Sequence, residues 1–295
     1  MKLTTGGEHN KPMKILLYSL LLIIAGYASA FACSPLQISV TSDISLVSKS
    51  TDICGLSLNL PAGGNSAVTG LDIGFMSGTQ RVNGMQANLL VNITSISDST
   101  SETGVRGIQV AGLANILMGT GVKGIQVAGL FNSGGGSGVQ VAGLYNAGMN
   151  DEVQIALFNA HDKEGYVLQL GIMNFSDTVK GIQCCGIFNT ADSISGVQIG
   201  LVNRTTSPLK DYDPKIRAMA RDPGSSMTGM QLGMVNLADS MTGVQFGMVN
   251  RSIAVRGLQV GIVNIANQLH GIQIGVLNIN KRGPMPFLPV INMQF

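Results

Sequence analysis

Gly243-Val-Gln-Phe-Gly-Met-Val-Asn250, Gly257-Leu-Gln-Val-Gly-Ile-Val-Asn264 and Gly271-Ile-Gln-Ile-Gly-Val-Leu-Asn278 are successive copies of one unit, each starting 14 residues after the last. A fourth copy starts at Gly229. Earlier copies start at Gly107, Gly124, Gly138, Gly181 and Gly196, and degenerate ones at Gly70, Gly84, Val153 and Leu168. So short a period describes one small unit stacked or meandering many times, not a domain built around one pocket.

Each unit reads as strand. Apolar residues alternate, the run is about ten residues long, and two glycines interrupt it, which suits a helix poorly. In Val255–Asn264 one face carries Val255, Gly257, Gln259, Gly261 and Val263, and the other carries Arg256, Leu258, Val260, Ile262 and Asn264. Four residues, such as Arg251-Ser-Ile-Ala254, separate one run from the next. That is a tight hairpin length.

Two all-β architectures satisfy this pattern. The first is an up-and-down meander closing as an outer-membrane-type barrel of about 14 strands, because a tilted ten-residue strand rises roughly 25 Å, the height of the apolar band. The apolar rows would face lipid and the Gly-Gln-Gly face would line the lumen. The alternative is a β-solenoid with one coil per repeat, in which Gln and Asn form ladders and the chain bends at Gly247 and its equivalents. The identical pattern in every unit and the absence of Trp favour the solenoid, since a membrane barrel carries aromatic girdles. The shortness of the four-residue link favours the barrel.

Organisation follows from the repeat. Residues 1–30 form a signal peptide: Lys2, Lys11 and Lys14 precede the apolar run Ile15–Ala25, and Ala28-Ser-Ala30 is a small-x-small cleavage site. Met13 also offers a start. Residues 31–69 are lead-in strands. The array occupies 70–280, with an inserted loop at 204–228, and 281–295 is a C-terminal strand or cap. A Ser/Thr-rich loop spans Thr94–Thr103.

Charged residues make up only 12% of the chain and the net charge is +2, against roughly 25% charged in an ordinary soluble domain. Low charge suits contact with lipid or with neighbours that cover a face. No basic stripe interleaved with aromatics is present, which excludes nucleic acid as a partner. Export permits disulfides. Cys33 pairs plausibly with Cys54, with lipidation of Cys33 as the alternative. Cys184 and Cys185 replace Val-Ala inside a repeat and read as small apolar fillers.

No nucleophile elbow, zinc-protease motif, Cys-x-x-Cys pair or phosphate loop occurs. Asp211 and Asp213 read as solvated loop residues rather than an acid–base pair. Asp151, Glu152, Asp162 and Glu164 cluster around one degenerate repeat without the spacing of a calcium loop. His161 and His270 fall in inter-repeat turns. The recurrent Gln and Asn read as structural, because buried amides need partners and identical residues in register supply them. The chain therefore reads as non-enzymatic, with no catalytic residue, cofactor or metal site.

The Gly-x-Gln-x-Gly-x-x-Asn units and the ending Pro286-Phe-Leu-Pro-Val-Ile-Asn-Met-Gln-Phe295 resemble the leptospiral-type bacterial surface-repeat proteins, over about Gly55 to Phe295. The resemblance implies export, an outer-membrane or cell-surface location and no catalytic residues. It leaves two functions open: an outer-membrane scaffold with a porin-like role, and a secreted solenoid acting in adhesion or interaction.

Overall fold

A computed structural model of the chain describes residues 33–41, 43–95, 104–150, 152–206 and 225–295. The predicted signal segment, residues 96–103 of the Ser/Thr-rich loop, Asp151, and 207–224 of the insertion (Asp211 and Asp213 among them) lie outside these.

The strand pairs from Ser34 to Asn280 are parallel. Over the last coils the register is one whole repeat: Gly229 stands beside Gly243, Gly257 and Gly271 in turn, and Gln231 beside Gln245, Gln259 and Gln273. This overturns the barrel. Neighbouring strands of a meander run in opposite directions and cannot stack like on like. The chain is a β-solenoid of about 11 turns, the alternative reading.

The ten-residue run is not one strand. It breaks at Gly247-Met248 and at Gly261-Ile262, so the Asn-bearing segment makes the return that the four-residue link seemed too short to make. At that bend the alternation of sides changes phase, and Gln259 and Asn264, five positions apart, both point inward, with no exposed surface. The bend needs glycine for space: a Cβ on Gly261 would strike the Gly247 carbonyl oxygen and sit 2.7 Å from Asn250 Nδ2. The first glycine of each repeat has a different reason. Gly257 has φ +138°, and a side chain there would also meet the Gly243 carbonyl.

Inside the coil the amides pair with their own kind. Asn236 Nδ2 donates to Asn250 Oδ1 at 2.8 Å, Asn250 to Asn264 at 2.8 Å, and Asn264 to Asn278 at 2.8 Å. Each Asn also donates to a main-chain carbonyl of the next coil, as Asn250 does to Val260 O at 2.8 Å. The Gln row runs the other way. Gln245 Nε2 donates back to Gln231 Oε1 at 2.7 Å and Gln259 back to Gln245 at 2.7 Å. The two ladders therefore oppose one another's side-chain dipoles. Among the described residues these side chains fill the inside of the coil.

A row of apolar side chains completes the core: Met227, Met241, Val255 and Leu269 are all but fully buried. Small residues fill the remaining row, with Ala238 and Ala266 flanking Ser252, whose hydroxyl donates to Gln245 Oε1 at 3.0 Å.

Each ladder ends at a change of partner. The Gln ladder points its donors toward the N-terminus and ends on Asp72, whose carboxylate accepts from Gln86 Nε2 at 2.9 Å and from Asn59 Nδ2 at 2.6 Å. A carboxylate only accepts, so it stops a chain of donors. At the other end Asn278 Nδ2 turns back to Gly275 O at 3.0 Å, and Phe287–Gln294 pairs antiparallel with the last coil. An antiparallel strand covers the open edge with a register that no further coil can continue.

Replacing one ladder amide by an apolar isostere leaves its neighbours' buried donors and acceptors unpaired, at a cost of about 1–3 kcal/mol per group. Asn250→Leu is therefore expected to lower stability by about 3 kcal/mol in urea unfolding, whereas Arg251→Ala, one residue on but outward, should change it by less than about 0.5 kcal/mol.

Candidate functional site

The outer surface is organised by the same repeat. In the coil ending at Val263 the outward side chains run Arg251, Ile253, Ala254, Arg256, Leu258, Val260, Ile262 and Val263. The last four wrap around the glycine bend. Stacked over the array they make an apolar ridge: Phe246 is 56% exposed, Ile262 47% and Val276 71%. About 11 coils at the ~4.8 Å spacing of strands give it a length of about 50 Å. Along the bend the side chains of Met234, Met248 and Ile262 face those of Phe246, Val260 and Ile274 across a groove of about 590 Å³. Its floor is glycine. Soluble monomers rarely leave contiguous apolar patches larger than a few hundred Å², and this ridge continues for about 50 Å.

Charge is sorted around the ridge. The row before the first glycine of each repeat holds Arg106, Lys123, Lys180 and Arg256, and the row after each ladder Asn holds Arg204 and Arg251. Among the described residues neither row contains an acidic side chain. The acids Asp162, Asp177, Asp192 and Asp239 share the position three residues after the ladder Asn, on the opposite turn. Lys180 pairs with Glu164 at 2.5 Å across partly exposed surface, an interaction of little energetic weight.

One coil breaks the interior rules. Glu152 takes the place of the first glycine, in register with Gly138 and Val167, and Asn150, where other repeats carry a buried apolar residue, is exposed with φ +74°. His161 fills the small-residue row. The sequence placed it in a turn, but it is 1% exposed. Its Nε2 lies 2.6 Å from Asn150 O, so Nε2 carries the proton, and 4.0 Å from Glu152 Oε1. Gly148 makes room, because a Cβ there would collide with the Glu152 carboxylate. Burial pushes the Glu152 carboxyl up to about 9. A small cavity of about 220 Å³ opens beside Gly148, lined by Leu117, Tyr145, Met149 and Asp162. Burial, and secondarily Asp162, raises the Tyr145 phenol. A signal for this pair existed in the sequence: Glu152 stands two residues before Gln154, where the repeat demands glycine.

The other sequence candidates stay apart. Asp162 and Glu164 lie on the exposed turn while Glu152 points inward, and no group of three metal-binding side chains occurs among the described residues. His270 is exposed on the row before the first glycine. Cys33 and Cys54 form a disulfide, with Cα atoms 5.7 Å apart. Cys184 and Cys185 are free and half-buried, and burial raises the Cys185 thiol to about 11. No family model, curated protein or solved structure matches the chain.

Glu152 is protonated in the folded chain near neutral pH and ionised once unfolded, where its reference value is 4.5. The unfolded state then binds fewer protons, so stability is complete below about pH 4.5 and falls as pH rises toward about 9. Glu152→Gln is expected to stabilise the protein near pH 7 by up to about 3 kcal/mol, with the gain gone at pH 4. Urea unfolding at the two pH values checks it; a gain that is equal at both would contradict the assignment.

Proposed function

We propose that this chain is an exported, non-enzymatic β-solenoid that works as a contact module: a rigid rod whose interior is given over to amide ladders and whose outward rows meet a partner. The observation that carries this reading is the apolar ridge. It runs along the array, is not consumed by the core, and is of the continuous kind that soluble monomers rarely leave open to water. Export is supported by the signal-like N-terminus and by the Cys33–Cys54 pair, since disulfides persist in oxidising compartments. The resemblance to bacterial surface-repeat proteins agrees with a cell-surface location. A transport role has no support in an interior closed by hydrogen-bonded Gln and Asn.

Compartment and redox state test the reading together. In fractionated cells the protein is expected outside the cytoplasm, with Cys33 and Cys54 protected from maleimide until reduced, and Cys184 and Cys185 modified once the chain is unfolded. A cytoplasmic protein with four reactive thiols would end the proposal.

A further inference from the structure

We propose that the ridge is a lipid-docking surface: the solenoid lies along an anionic membrane with its glycine bend sunk into the boundary between headgroups and acyl chains. This rests on the reading of the chain as an exported contact module.

The argument is one of shape and charge. The bend brings two apolar rows together, with Met234, Met248 and Ile262 facing Phe246, Val260 and Ile274 across a glycine-floored groove. The rows that border it carry scattered cations and, among the described residues, no acid: Lys123 and Arg256 on one side, Arg204 and Arg251 on the other. Interfacial elements with that arrangement bury their apolar strip and hold anionic headgroups with the flanking cations. The acidic row sits on the far turn, away from the bilayer. A second copy is the rival occupant, and charge speaks against it. Ridge-to-ridge pairing would bring together rows that hold cations and no acid to meet them.

The chain contains no Trp, so a single introduced indole reports its own surroundings. Met248→Trp places it on the wall of the groove; Ser240→Trp places it on the far turn. Each full-length chain is mixed with vesicles of phosphatidylcholine containing a quarter phosphatidylglycerol, and with pure phosphatidylcholine vesicles. The expected result is that the Met248→Trp emission shifts to the blue and is quenched by brominated acyl chains, with at least tenfold weaker binding to pure phosphatidylcholine. Ser240→Trp emission should stay water-like. Combining Arg251→Gln with Arg256→Gln should weaken binding and reduce its salt dependence. Three results would overturn the proposal. Water-like Met248→Trp emission on floated vesicles would mean that another segment, such as the predicted signal run, anchors the chain. Equal shifts at both positions would mean non-specific insertion. A blue shift without lipid that grows with protein concentration would give the ridge to a second copy. None of these touches the reading of export, which falls only if the protein is cytoplasmic and reduced.

Discussion

A buried amide must find a partner, and the cheapest partner is the same amide one turn away. That constraint governs the rest of the structure. For Asn250 to bond both Asn236 and Asn264, successive coils must keep identical register, so the ladder rows are held to one residue type. The ladders fill the space inside the bend, which is why Gly247 and Gly261 cannot carry a side chain. Parallel pairing follows too, since antiparallel neighbours would bring Gln opposite some other position of the repeat. Two exceptions end the ladders. Asp72 takes the place of Gln where the donors run out, and the final strand reverses direction where no further coil is to be added.

Much of this was legible in the sequence, because the repeat is short and its polar positions are of the kind that pair with themselves. Gln259 inward and Leu258 and Val260 outward follow from alternation alone, as does the structural role of the amides. The Asn position did not follow. Alternation puts Asn264 on the side opposite Gln259, and it is the bend at Gly261-Ile262 that restores it to the interior. A ten-residue run with glycine in it can be one strand or two, and periodicity within the run does not say which. The choice between barrel and solenoid turned on that single ambiguity. The observation that should have weighed more is that every unit is the same, since alternate strands of a barrel meet opposite sides of a membrane.

The Glu152–His161 coil was hidden for a related reason. A titratable residue next to a turn reads as solvated, and His161 follows Asn159-Ala160 with Asp162 and Lys163 beyond it. Only alignment of the coil to its neighbours shows that position 161 corresponds to Ser176 and Ala191, an inward row. The coil is tolerated because a solenoid is nearly one-dimensional: each turn interacts with the two beside it, and a local cost need not spread. Gly148 below and the left-handed Asn150 beside it absorb the substitution locally.

The same architecture explains why the outer rows carry information about function. In most globular proteins large apolar residues are placed by the core, so their positions say little beyond the fold. Here the core is made of amides, small residues and one row of Val, Met, Ile and Leu. The outward Leu, Ile, Met and Phe around the glycine bend add little to it. Strand propensity would be met as well by Thr, which does occupy the outward positions 228 and 242 before the first glycine of their repeats. Folding therefore does not require an apolar ridge, and exposure to water disfavours one. Its persistence over coil after coil points to a selective force outside the molecule, and the flanking cations give that force a sign.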